Sequence, residues 1–165
     1  MTAVYREACT RLGCKENSSF IRVLEAQPNP RTLDLSNNYC GSEHGLEAIL
    51  EVIKGESSLK EVNLSGNYLT TENVRSLVGV LLKHPTVTTV RLNDNRLYIE
   101  SGKELVRLAR FNPRITTVET EGGNFPVGHA FKNKIPVKIV EMMQRQIQFN
   151  LSTLTLAAAP SSPPM

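Results

Sequence analysis

The chain has 165 residues, 40% of them hydrophobic, with no tryptophan and only 5% aromatic side chains. That suits one soluble domain with a core of leucine, valine and isoleucine, and no apolar run is long enough to span a bilayer. The net charge of +3 is too mild to argue for nucleic acid by itself, and it is uneven: residues 1–57 carry 6 Lys/Arg against 8 Asp/Glu, residues 58–165 carry 13 against 8.

The N-terminal segment, residues 4–26, reads as an amphipathic helical cap. Val4, Ala8 and Leu12, then Phe20, Ile21, Val23 and Leu24, recur at helical spacing. Gly13 and the polar stretch after it predict a break into two helices, with Ser18 or Ser19 capping the second. Cys9, Cys14 and Cys40 cannot all pair, and no secretory signal precedes them. A reducing, cytoplasmic setting is therefore expected. The triplets at Asn17, Asn63 and Asn150 that match a glycosylation acceptor are read as coincidence on the same ground.

From Pro30 onward a period takes over. Leu59, Val62, Leu64, Asn67 and Leu69 spell L-x-x-L-x-L-x-x-N-x-L. Val87, Val90, Leu92, Asn95 and Leu97 repeat it 28 residues on, and Pro30, Leu33, Leu35, Asn38 and Cys40 precede it by 29. The alternation predicts a short strand with one buried face, and the asparagine predicts a turn that bonds backbone groups of neighbouring units. Leu46, Ile49, Leu50 and Ile53 then fall on one helical face, as do Val74, Leu77, Val78 and Leu81, and Gly102, Leu105, Val106 and Ala109. The extra residue of the first unit is placed in the Gly55–Ser58 loop.

The fourth strand keeps Ile115 and Val118, but Thr120 replaces the third apolar residue and Gly123 the turn asparagine, with Asn124 as a partial substitute. The helix of this unit is expected to start near Pro136 or Val137 and to bury Ile139, Met142, Met143 and Ile147. Leu151, Leu154 and Leu156 repeat L-x-x-L-x-L and read as a fifth, terminal strand. The domain plan is thus a cap over 1–29, repeats over 30–125, an irregular last repeat over 126–156, and an Ala/Ser/Pro tail over 157–165.

The unit length and its full helix resemble the ribonuclease-inhibitor subfamily of leucine-rich repeat proteins, strongly over residues 30–125. The resemblance implies an intracellular α/β fold, a right-handed solenoid with parallel strands on its concave face and helices outside, whose members mostly bind proteins. The first helix, from Tyr5 to Gly13, looks like caps on repeat proteins of cilia, flagella and the cytoskeleton. Tropomodulin-like actin-capping repeats share the period, without their actin-binding extensions here. Leucine-rich activators of Ran-type GTPases share the scaffold too, but their longer arrays and catalytic arginine have no counterpart.

Read from the repeat, the concave face carries the candidate partner-binding residues Asp34, Glu61, Asn63, Arg91, Asn93, Asp94, Glu119 and Glu121, with Asn38, Asn67 and Asn95 as structural turns. Five carboxylates against one arginine predict docking of a basic partner, although such a face must be polar whether or not it binds anything. Arg96, Lys103, Arg107, Arg110 and Arg114, with Lys132, Lys134 and Lys138, form a basic side that could meet an acidic protein. No aromatic residues interleave it to stack bases, which argues against nucleic acid. His44, His84 and His129 are scattered without metal-ligand spacing, and no phosphate loop or nucleophile–base pair occurs. His84, before Pro85, is placed to cap helix carbonyls.

The expectation is a non-enzymatic adaptor or structural subunit of an intracellular, cytoskeletal or flagellar assembly, with no cofactor or metal. The alternative is a regulator that inhibits a basic nuclease or small GTPase through the acidic face. A further expectation is that the terminal edge at Leu151–Leu156 accepts a partner's strand.

Overall fold

Val62, flanked by Glu61 and Asn63, sets the pattern of the sheet: one inward apolar residue between two outward polar ones. The computed structural model describes residues 1–26, 30–41, 44–120 and 133–158. Four strands share the pattern: β1 (Thr32–Asp34), β2 (Glu61–Asn63), β3 (Thr89–Arg91) and β4 (Thr117–Glu119). They pair in parallel and in chain order, with Leu33, Val62, Val90 and Val118 in register. Parallel pairing needs a crossover, and helices α3 (Gly45–Gly55), α4 (Thr71–Leu81) and α5 (Ile99–Phe111) supply it. Before the sheet come α1 (Thr2–Leu12) and α2 (Ser18–Ala26); after it comes α6 (Val137–Ala158).

The core lies between strands and helices. Leu46, Ile49, Leu50 and Ile53 of α3 and Val74, Leu77, Val78 and Leu81 of α4 are all buried, as is Cys40 in the slot of Leu69 and Leu97. In α5 Leu105 and Ala109 are buried together with Leu108, while Val106 is only half-buried. Gly102 lets α6 approach closely, since a Cβ there would stand 2.6 Å from Ile135 Cγ2 and 2.8 Å from Ile139 Cγ2.

The cap is two helices, and their junction differs from expectation. Gly13 ends α1 in the left-handed region at φ 67°. Asn17, not Ser18 or Ser19, caps α2: its Oδ1 accepts from the N–H groups of Ser19 and Phe20. The Asn17 side chain also donates to the Asn38 carbonyl, and its own N–H donates to the Tyr5 hydroxyl. Tyr5 packs edge-on against Phe20, 4.6 Å between centroids. One residue thus ties both cap helices to the first rung.

A ladder of buried amides then runs through the turns. Asn67 Oδ1 accepts from the N–H groups of Asn38 and Cys40, and Asn95 Oδ1 accepts from those of Asn67 and Leu69. Their Nδ2 groups donate back to carbonyls just after the strands, Leu35 and Ser65 for Asn67 and Leu64, Leu92 and Asn93 for Asn95. The next member is Asn133. Its Oδ1 accepts from the N–H groups of Asn95 and Leu97, and its Nδ2 donates to Leu92 and Thr120. Asn133 therefore supplies the asparagine missing from the fourth unit's motif; Gly123 and Asn124, the latter read as a partial substitute, lie outside the described residues. The spacing from Asn95 is 38 rather than 28, which hid the residue from a search at fixed period.

A second polar ladder joins the ends of successive helices. His84, Asn112 and Asn150 donate to the carbonyls of Ile53, Leu81 and Ala109, the same place in three successive helices. His84 Nδ1 in addition accepts from the N–H groups of Thr86 and Val87. The carbonyl that His84 meets belongs to the preceding helix, α3, and not to its own. Glu56 stands at the same place in the first unit, accepting from Ser58. Because Glu56 and His84 are 28 apart, the first unit's extra residue falls between Cys40 and Leu46, not in the Gly55–Ser58 loop.

Asn150 explains the largest departure from expectation. Residues Leu151–Leu156 are not a fifth strand; they continue α6, and so do Ala157 and Ala158 of the expected tail. Asn150 Nδ2 donates both to Ala109 O and to Ile115 O. In the earlier rungs the hydroxyls of Ser58 and Thr86 reach the carbonyls of Pro30 and Leu59, which correspond to Ile115. One side chain thus makes two contacts that another rung would otherwise supply. Gly55, Pro85 and Pro113 stand where the other helices give way to strand, whereas residues 137–158 contain neither glycine nor proline. The helix has no reason to stop. On its inner face Met143, Ile147 and Asn150 are buried, while Met142, expected to be buried, is 46% exposed.

Candidate functional site

The outward residues of β1–β4 form one continuous polar face, because parallel register places Asp34, Asn63 and Arg91 side by side and Arg91 beside Glu119. At its middle, Arg91 Nε stands 2.8 Å from Glu61 Oε1 and 3.7 Å from Glu119 Oε1. The guanidinium therefore bridges three strands as an ion pair; its buried Nε makes no hydrogen bond, so the contact is one of charge. Towards β1, Asn63 Nδ2 donates to Asp34 Oδ1 at 3.1 Å, and the same oxygen accepts from the N–H of Ser36. Towards β4, Asn93 Nδ2 lies 3.5 Å from Glu119 Oε2.

The predicted face residues are thus brought together, but not equally presented. Asp34 is exposed, Glu61, Asn63, Arg91 and Glu119 are half-buried, and Asn93 and Asp94 are buried. Glu121 lies outside the described residues. Asn93 Oδ1 and Asp94 Oδ2 are buried oxygens with no hydrogen-bond partner. Among the described residues four carboxylates face one arginine, and two of them contact it, so the acidity is real but partly neutralised within the face.

One feature escaped the sequence reading. Tyr39 and Tyr68 each follow a turn asparagine, adopt left-handed backbone at φ 54° and 58°, and stack with centroids 5.3 Å apart and planes 12° from parallel. Both rings are exposed, and with Gly41 and Asn67 they line a shallow hollow of about 230 Å³. Their common place beside Asn38 and Asn67 was the available signal.

On the helix side the basic residues partly pair: Lys103 with Glu100, Arg107 with Glu104, and Arg75 with both Glu72 and Glu104. Such exposed pairs contribute little to stability. Lys132 lies outside the described residues, while Lys134 and Lys138 are exposed.

Burial pushes the Cys40 thiol up to about 12, and burial with the neighbouring Cys9 raises Cys14 to about 11, so both remain protonated at neutral pH and neither is a ready nucleophile. Among the described residues no group of three or more His, Cys, Asp or Glu could hold a metal ion. His44 is exposed and His84 is committed to backbone groups, while His129 lies outside the described residues. Among the described residues, no helix is long and apolar enough to cross a membrane.

Residues 58–79, from the end of the first unit through β2 and into α4, match the family described as Leucine Rich Repeat. The chain has the leucine-rich repeat fold. Two solved structures support this across the length of the chain. "Leiomodin-1 Actin-Binding Site 2 (ABS2)" superposes with a TM-score of 0.61 at 13% identity, covering 82% of this chain and 89% of that one. The tropomodulin C-terminal domain of Caenorhabditis elegans gives 0.53 at 10% identity, covering 87% and 98%. No curated protein sequence matches the chain. The likeness to cytoskeletal repeat proteins is therefore one of fold, at identities that say nothing of shared residues.

Proposed function

We propose that this leucine-rich repeat chain is a non-catalytic protein-interaction module, an adaptor or structural subunit of a larger assembly, and that the outward face of β1–β4 is its docking surface. The observation that carries the proposal is the Glu61–Arg91–Glu119 bridge with the Asp34–Asn63 pair beside it. These contacts hold long side chains in place before any partner arrives, which lowers the ordering cost of association. The excess of carboxylates selects a basic partner and steers its approach. Asn93 Oδ1 and Asp94 Oδ2 are acceptors that a partner's donor would satisfy after a small side-chain rotation.

A cytoskeletal setting ranks first among the assemblies to test, because the similar leiomodin-1 structure is an actin-binding site; a flagellar one follows it. Inhibition of a basic enzyme through the same face is the second reading, favoured by the same excess of carboxylates. The test is affinity capture from a native extract with the wild-type chain and with D34K/E61K/E119K. The wild type should retain a stoichiometric protein partner, and the triple variant, melting within a few degrees of it, should retain at least tenfold less. Equal capture by both, or no stoichiometric partner, contradicts the proposal. Added purified actin and a basic ribonuclease, each titrated separately, distinguish the two readings.

A further inference from the structure

The second half of α6 poses a physical problem. After Arg145 the helix carries no charged residue, and every residue from 151 to 158 is exposed. A short solvated helix of that kind is marginal in water. Ser152, Thr153 and Thr155 turn their hydroxyls onto the carbonyls of Gln148, Phe149 and Leu151, which leaves the outer surface still less polar.

The apolar residues of α6 are not scattered. Met142, Phe149 and Leu156 lie seven residues apart, so they form one stripe along the helix, about 21 Å long. They are 46%, 66% and 76% exposed. The stripe borders a groove of about 410 Å³ between α5 and α6, lined by Val106, Arg110, Met142, Arg145, Gln146 and Phe149. Phe111, exposed and, contrary to expectation, an aromatic residue within the basic stretch between Arg110 and Arg114, lies under the Arg110 guanidinium at 5.7 Å. The salt bridges of α5, Lys103 with Glu100 and Arg107 with Glu104, leave Arg110 and Arg145 without a carboxylate partner among the described residues. Glu141, one turn before Arg145, is not paired with it.

We infer that this groove binds an acidic amphipathic helix of a partner protein. A stripe at heptad spacing matches the apolar face of a helix lying alongside α5 and α6. The two arginines at its rim would meet carboxylates on that helix's flanks, with Arg110 and Arg145 able to bind them in bidentate fashion. This surface is separate from the face of β1–β4, and the inference does not rest on the reading of that face.

The test uses the full chain and two labelled 21-residue peptides of identical leucine pattern, one with glutamates and one with lysines on the flanks, read by fluorescence anisotropy at about 0.15 M salt. The glutamate peptide should bind saturably and the lysine peptide at least tenfold more weakly. R110E/R145E should reverse that preference, F149S/L156S should weaken the glutamate peptide at least tenfold, and D34K/E61K/E119K should leave it unchanged. All the substituted residues of the first two variants are exposed, so unchanged melting curves are expected and checked. Equal binding of both peptides overturns the inference. So does a concentration-dependent dimer in sedimentation velocity that F149S/L156S removes, which would make a second copy the occupant. Phe149-dependent binding to phosphatidylserine vesicles, with no binding of the glutamate peptide, would assign the stripe to a lipid surface instead.

Discussion

Replacing Asn95 with alanine should destabilise the domain by about 4 kcal/mol, a lowering of the melting temperature by about 12 °C for a chain of this size. The side chain is fully buried and makes five hydrogen bonds, accepting from the N–H groups of Asn67 and Leu69 and donating to three carbonyls. Alanine leaves those two N–H groups buried and unpaired, and each such group costs about 1–3 kcal/mol. The residues it connects, Leu64, Asn67 and Leu69 on one rung and Leu92 and Asn93 on the next, tie two rungs together, so the loss is felt beyond one turn. Asn38, which opens the ladder, offers the control. It is only half-buried, and its amide donates to a single carbonyl, that of Ser36. Its alanine variant should cost about 1 kcal/mol or less. Urea titrations with unchanged slope measure both. Equal effects at the two positions would contradict the ladder as the organising element.

Replacing Asn150 with leucine should cost about 2–3 kcal/mol, and the loss should be local. Leucine keeps the branched heavy-atom shape and is the better helix former, but it leaves Ala109 O and Ile115 O without their donor. Hydrogen exchange should then show at least tenfold faster exchange of α6 amides after Ile147, with the amides of β1–β3 little changed. If α6 keeps its protection, the helix is held by Met143 and Ile147 alone and Asn150 is not what closes the array.

How much of this was legible in the sequence depends on whether the relevant spacing was constant. Asn67 and Asn95 fall 28 apart within an unbroken motif, and the buried faces of α3 and α4 follow the same interval, so strands, turns and helices were all readable there. Asn133 does the same physical work but arrives 38 residues after Asn95, behind ten additional residues that no period locates. The ladder of His84, Asn112 and Asn150 was missed for a different reason. Its members are different residue types, and only the shared task of bonding a helix-end carbonyl unites them. Leu151, Leu154 and Leu156 were misread because strand spacing was counted without asking for a breaker. Gly55, Pro85 and Pro113 end the other helices' reach, and nothing comparable stands between Val137 and Ala158. Of the sheet face, the residues were legible from alternation, but the Glu61–Arg91–Glu119 bridge needed the register of three strands at once.

The Glu61–Arg91–Glu119 bridge spans three neighbouring strands of the sheet, and the proposed docking on this face can be measured without knowing the partner. Zero-length carboxyl-to-amine crosslinking in a native extract, read by mass spectrometry, should join Asp34, Glu61 or Glu119 to lysines of one stoichiometric partner. A partner recovered with crosslinks only to other surfaces of the chain, and none to these three carboxylates, would contradict docking on the sheet face.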